Sequence, residues 1–447
     1  MKFIETIKNV WKIEELRNRI VVTLGLLLVY RFGAQVVLPG IDAAQLENLQ
    51  GNTEEGLLGL LNAFTGGAFA NASVFALGIM PYISASIVVQ LMGIAIPYLQ
   101  KLQKEGASGQ KKITQITRWL TIAICLVQAP GYLASLPALG IPTSAFLLGQ
   151  GGIFYVSSVI ILITGTIFAM WLGEKITDKG IGNGISLLIM VGIIANLPQS
   201  FLLNASSRLE TNSVMLIVIE LVIWLVIILL SIMLVMAVRK IAVQYARRTA
   251  SGGYEKNVFG SRQFLPLKLN ASGVMPIIFA QAIMFVPGLI GGSSFLKETA
   301  TGQWMQTNFA DIFGLWYNIV FGFLIIVFTY FYTAITVPTN KMADDLKRSG
   351  GFIPGIRPGS ETSEYLDKVM SQITLPGSIF LALIAVFPAI IVKLMNVQTG
   401  WALFFGGTSL LIMVGVAIDT MQQVNSYLLN RHYDGLMKTG KNRKAVA

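Results

Sequence analysis

The chain carries one histidine, His432, and one cysteine, Cys125. Zinc, haem and thiolate centres need several such ligands converging on one point. A Ser-His relay needs a histidine beside its nucleophile. His432 lies close to the C-terminus and Cys125 sits inside an apolar run, so catalytic and metal chemistry of these kinds are not expected. A lone cysteine also forms no internal disulfide. The phosphate-cradling pattern G-x-x-x-x-G-K-[ST] does not occur, so no nucleotide hydrolysis and no cofactor are expected. Three ionisable side chains do fall within long apolar stretches: Arg31, Glu220 and Asp419. Charge inside a membrane span marks a functional site by default. No two of these three share a helix at i, i+3 or i+4 spacing. An ion-coupled transporter gathers acids near the midplane, and here the central positions are Ile, Met, Leu and Gly instead. Neutralising the three charges should abolish such a transporter and barely affect a channel for large cargo. A purely structural membrane scaffold, the third class, would conduct nothing.

What remains is binding and gating chemistry, and it sits on elements that composition identifies. Of 447 residues, 54% are hydrophobic and 12% charged. A soluble protein carries about 25% charged residues. A span needs about 20 mostly apolar residues. Ten segments qualify: Ile20–Leu38, Ser73–Ile96, Ile116–Leu136, Gly152–Leu172, Asn183–Leu203, Val214–Val238, Ser272–Ile290, Leu315–Val337, Ser371–Val392 and Trp401–Met421. The expected fold is an all-α polytopic membrane protein of ten helices.

The net charge is +11, from 33 Lys and Arg against 22 Asp and Glu. With the N-terminus in the cytosol and ten crossings, 29 of the 33 basic residues face the cytosol. Arg208, Lys297 and Lys393 face the other side, and Arg31 lies in the first span. This follows the positive-inside rule and puts both termini in the cytosol. Residues 1–19 carry both signs of charge and no small-residue cleavage site, so they read as a cytosolic amphipathic helix rather than a signal peptide. Residues 426–447 form a cytosolic tail. Leu57–Phe69 is too short to span. It is either an amphipathic helix on the outer surface or a segment folded back into the bundle.

The second span contains Gly78-Ile79-Met80-Pro81-Tyr82-Ile83 and the seventh Gly273-Val274-Met275-Pro276-Ile277-Ile278. The shared pattern G-[IV]-M-P-x-I falls at equivalent places in two five-span halves, residues 20–203 and 214–425. Because five is odd, the halves enter the membrane from opposite sides, as in an inverted repeat. A proline within each span removes a backbone hydrogen bond, so two kinked helices flanking a seam are expected.

Two long cytosolic loops, 239–271 and 338–370, are basic. The first holds Arg247, Arg248 and Lys256 and an extended stretch at 262–268. The second places Arg357 among two prolines and four glycines, on a stiff turn. Such loops orient a membrane protein and touch anionic lipid. They can also dock a polyanion or an acidic protein.

Five motifs, in order, resemble the SecY family of Sec protein translocases. They are G-I-M-P-Y-I-S-A-S (78–86), W-L-G-E-K-I-T-D-K-G-I-G-N-G-I-S (171–186), L-P-L-K-L-N (265–270), F-I-P-G-I-R-P-G (352–359) and F-G-G-T-S-L-L-I (405–412). The resemblance implies a protein-conducting channel with a lateral gate between spans 2 and 3 and spans 7 and 8. It implies a pore ring at Ile79, Ile83, Ile189, Ile278 and Ile412. It makes 57–69 a plug, with Leu57, Leu60, Leu61, Phe64, Gly66 and Gly67. Ser84, Gln128 and Asn270 fall on the gate. Arg247, Arg248, Lys256 and Arg357 fall on the surface that docks the ribosome, through its RNA and protein at the tunnel exit, and the motor ATPase SecA. Implied partners are also SecE, SecG, signal sequences, nascent chains and membrane lipids. The implied location is the bacterial plasma membrane, or also a thylakoid membrane in a photosynthetic source.

Overall fold

A computed structural model describes residues 11, 13–42, 56–137, 146, 152–211, 213–245, 262–292, 299–309 and 311–444. Each of the ten apolar segments contains helix, the tenth in two pieces separated at 403–406, and the helix ends differ from the apolar limits for physical reasons. The helices in order are α1 (Glu14–Gly33), α2 (Gly56–Thr65), α3 (Met80–Ala95), α4 (Pro97–Lys104), α5 (Ala107–Ser135), α6 (Gly152–Lys179), α7 (Gly184–Glu210) and α8 (Val214–Met236). Then come α9 (Met275–Gly292), α10 (Ala300–Phe309), α11 (Leu315–Thr336), α12 (Thr339–Arg348), α13 (Ser360–Met395), α14 (Thr399–Ala402) and α15 (Gly407–Lys444). Among the described residues six helices are long and apolar enough to cross a membrane, α12 counting as an extension of α11. A seventh arises if α3 and α4, bent by 102° at Pro97, count as one.

Helix α1 starts at Glu14 and runs without a break into the first span, so no boundary falls at residue 19. It stops at Gly33. The rest of that span, and the first seven residues of the second, are not helical. They hold each other instead: Leu38 N donates to Ala72 O and Val74 N to Val36 O, both at 2.9 Å. Irregular backbone survives at membrane depth only when protein satisfies it. Here Leu38, Ala72, Phe75, Ala76 and Ile79 are buried.

The kinks expected at the repeated prolines are not there. Pro81 and Pro276 are each the second residue of a helix, α3 and α9. At that position a missing N–H costs nothing and the fixed φ suits a helix start. The preceding glycines match as well, with Gly78 at φ +54° and Gly273 at φ +63°. The repeat is therefore a helix-initiation device, Gly in the left-handed region followed three residues on by Pro, used twice.

By contacts the chain divides into two units. One comprises Met1–Ile217, Val397–Phe404 and Ile412–Ala447; the other comprises Val218–Asn396 and Phe405–Leu411. In the first, α5 packs against α3, α4 and α6, while α7 packs against α1, α2 and α6. Its core includes Leu133, Leu136, Phe154 and Leu162. In the second, α11 packs against α9 and α13. Phe279 stacks on Phe328 with ring centroids 5.8 Å apart.

The second unit also carries a small sheet. Strands β1 (Val238–Tyr245), β2 (Arg262–Lys268) and β3 (Gly351–Phe352) run in the order β2-β1-β3, all antiparallel. Val238 pairs with Lys268 and Gln244 with Arg262. The extended stretch at 262–268 is thus one arm of a hairpin. Ile241, Val243, Leu267, Leu346, Ile353 and Leu366 form the apolar core beneath it. The pairing of Gln244 with Phe352 and of Tyr245 with Gly351 joins the described parts of both basic loops into one platform.

Candidate pore, plug and docking surface

The isoleucines expected at the pore ring occupy defined positions in their own units. In the first unit Ile79 precedes α3 and is buried, and Ile83 lies one turn on, its N–H bonded to Ile79 O at 3.0 Å. Ile83 is half-buried. Ile189 on α7 and Ile412 on α15 are buried. In the second unit Ile278 on α9 is half-buried. Asn183 starts α7 by accepting from Ile185 N and Ser186 N at 3.2 and 3.4 Å, which fixes where Ile189 stands.

The short apolar segment forms α2, ten residues packed on α7 within the first unit. The side chains of Leu57, Leu60 and Leu61 lie outside the described residues. Phe64 is 8% exposed and Thr65 2%. The helix ends in a hydrogen-bond pattern that closes its last carbonyls. Gly66 N donates to Ala63 O at 3.3 Å and Gly67 N to Asn62 O at 3.0 Å, with Gly66 at φ +67°. Gly66 also lets two backbones touch, since a Cβ there would lie 2.8 Å from Gly192 Cα.

The loop after α2 is held by side chains. Ala70 N donates to Asn62 Oδ1 at 3.0 Å, and Tyr132 OH on α5 donates to Phe69 O at 2.8 Å. Asn196 Nδ2 on α7 donates to Asn62 O at 3.4 Å. Arg31 on α1 donates to Gly66 O. These groups border a cavity of about 240 Å³ whose lining includes Arg31, Gln35, Asn62, Asn71, Asn196 and Gln199.

Of the residues expected at the gate, Ser84 is half-buried on α3 and Gln128 is exposed on the neighbouring α5. Asn270, in the second unit, follows β2 and accepts from Ser272 Oγ at 3.1 Å. Of the residues expected at the docking surface, Arg247, Arg248 and Lys256 lie outside the described residues, between β1 and β2. Arg357 projects beyond β3 with 88% of its side chain exposed. Its guanidinium lies 3.8 Å from Glu361, and Thr362 Oγ1 donates to Arg357 O at 2.7 Å, fixing the turn to the start of α13.

Glu220 is buried in α8, at 1% exposure, and Asp419 is exposed on α15. Spacing along the sequence missed one pair altogether. Arg118 on α5 forks onto Glu174 on α6, with Nε to Oε1 at 3.1 Å and Nη2 to Oε2 at 2.5 Å. Only the glutamate's place in the W-L-G-E-K motif hinted at it.

The profile of the SecY family matches residues 73–421. The protein translocase subunit SecY of Streptomyces coelicolor is 39% identical over 442 residues, covering 96% of this chain and 98% of that one. Two solved structures share the fold. One concerns a SecY plug domain that stabilises the closed state of its translocation channel and maintains a membrane seal. It aligns with TM-score 0.59 at 17% identity over 92% of both chains. The other is Sec61 in a canine ribosome-channel complex, with TM-score 0.54 at 16% identity over 92% of both chains. The glycine-proline motif, the short buried helix and the hairpin platform thus lie in a chain whose full length matches, and the chain belongs to the SecY family.

Proposed function

We propose that this chain is the central protein-conducting channel of a Sec translocase, a passive pore and not an enzyme. It passes unfolded secretory polypeptides across a membrane and releases apolar segments sideways into lipid. The observation that carries this reading is the match along nearly the whole chain to translocase subunits. Ten helices in two inverted halves, 20–203 and 214–425, would form the channel. The matched backbone at Gly78-Pro81 and Gly273-Pro276 supports the repeat. The membrane is a bacterial plasma membrane with both termini cytosolic, a reading supported by the one-sided basic charge.

In this mechanism a chain enters from the cytosol and displaces α2, the plug. Its burial against α7 favours a folded-back segment over a helix lying on the outer surface. The chain then passes a gasket of Ile79, Ile83, Ile189, Ile278 and Ile412. Branched aliphatic side chains exclude ions through a dry constriction yet yield to any passing sequence. A signal sequence binds where Ser84, Gln128 and Asn270 border the lateral gate. Its apolar surface leaves water there at about 25 cal/mol per Å². SecE and SecG brace the channel. The motor SecA or a docked ribosome supplies the drive at the platform bearing Arg357, Arg247, Arg248 and Lys256. The canine relative's ribosome complex supports that second partner.

The test is ion conductance of reconstituted channels at rest. Replacing Ile79, Ile83, Ile189 and Ile278 with glycine is expected to raise it severalfold. Conductance at the parent level would remove these residues from the gasket. Crosslinking a stalled secretory chain to cysteines at the same positions checks the path directly.

A further inference from the structure

Arg31 poses a problem of charge. It is half-buried in α1, within the first apolar span, and forms no ion pair among the described residues. Among the described residues no carboxylate lines the cavity it borders. A cation so placed is costly unless something negative faces it. What faces it is the C-terminal end of α2. The last carbonyls of a helix carry its negative pole. Arg31 donates to the carbonyl of Gly66, the residue just past the last turn of α2, and Asn196 donates to Asn62 O within that turn. The fit is close, because Gly66 and Gly192 bring α2 against α7 with no side chain between them.

We propose that Arg31 is the positioning residue that latches the plug closed, by capping the negative pole of α2, with Asn196 as its second donor. The proposal rests on reading α2 as the plug. It explains why a cation persists at this depth. With the plug seated, the guanidinium meets the helix pole; with the plug displaced, the amides of Gln35, Asn71, Asn196 and Gln199 around the cavity solvate it. Both states keep the charge satisfied, so the latch opens without stranding a cation in an apolar site. Lysine keeps the charge and its donors but not the planar fork, whereas glutamine keeps polarity and loses the charge.

The experiment uses full-length channel assembled with its partner subunits in liposomes, at matched amounts of assembled protein. Four forms are compared: the parent, Arg31→Gln, Arg31→Lys, and a form lacking residues 57–67. Resting ion conductance and passage of a cargo with a defective signal sequence are both read. Arg31→Gln is expected to raise both by about fivefold, the factor that loss of one helix-end cation makes in a two-state balance. Arg31→Lys is expected to restore most of the closure, and the deletion to leak most. A merely structural arginine would lower the amount of assembled channel without admitting defective cargo. If the deletion leaks and Arg31→Gln does not, the latch is wrong and the plug stands. If the deletion does not leak either, the plug reading falls and takes the latch with it. Should Arg31→Gln fail to accumulate, Asn196→Ala removes the other donor at this helix end. Parent-level conductance there overturns the latch.

Discussion

Arg118 and Glu174 show what a single side-chain pair contributes in this chain and why it stays hidden in a linear reading. The two residues stand 56 positions apart, on α5 and α6, and meet in a two-pronged contact. Their side chains are 48% and 20% exposed, so water and salt weaken the attraction. Removing one prong through Glu174→Gln is expected to lower stability by no more than about 1 kcal/mol. Thermal unfolding in detergent measures that loss, and export in cells should stay at the parent level. A loss of several kcal/mol would mean the pair is desolvated in the membrane. Arg31 makes the complementary case. Its position marked it as a cation needing a partner, but that partner is a carbonyl at a helix end, which no residue type announces. The channel reading also implied that neutralising Arg31, Glu220 and Asp419 would barely matter. The latch exempts Arg31 from that expectation.

Elements were legible wherever apolar length alone decides them. The interiors of α5, α6, α7, α8, α11 and α13 coincide with long apolar runs, because lipid leaves a spanning backbone little alternative. Their beginnings were not legible. Residues 73–79 are as apolar as the helix they precede, but protein contacts satisfy their backbone without a helix. In the sequence the prolines suggest kinks, because nothing in the apolar run marks that each is the second residue of its helix. The start itself is set by Gly78 and Gly273 at positive φ. An alanine at either is expected to cost about 1–2 kcal/mol, the penalty of a side chain in left-handed backbone. The two sites differ in surroundings. A Cβ on Gly78 would lie 3.1 Å from Thr65 Cγ2, at the end of α2, whereas one on Gly273 meets nothing within 4 Å. Gly78→Ala should therefore destabilise the fold more than Gly273→Ala and also raise resting conductance by loosening α2, the proposed plug. Equal melting shifts and equal leaks would argue against that coupling.

At the scale of the whole molecule, the basic excess and the scarcity of charge belong to different parts. The apolar spans are readable because charge is scarce in them, and the expected sidedness because 29 of 33 basic residues fall at the termini and between alternate expected spans. The platform was only half readable. The stretch at 262–268 looked extended, but its pairing with 238–244 and the addition of Gly351–Phe352 depend on contacts distant in sequence. That sheet presents Arg357 from a fixed turn, with Glu361 as its nearest acid and most of the side chain in water. A phosphate-rich partner docking there displaces counterions, so affinity falls with salt in proportion to the contacts made. Binding of empty ribosomes to the reconstituted channel is expected to weaken steeply between about 50 and 200 mM salt. Arg357→Glu should weaken it at low salt and flatten the salt slope by about one contact. Because the turn is tied to the backbone through Thr362 and the core lies beneath the sheet, the variant should assemble normally and keep its resting conductance. If binding depended on salt and the variant bound with the parent's slope, the contact would belong to other basic residues of the platform. If export fell while ribosome binding held, Arg357 would instead serve the motor ATPase. The two drives can thus be separated at one side chain.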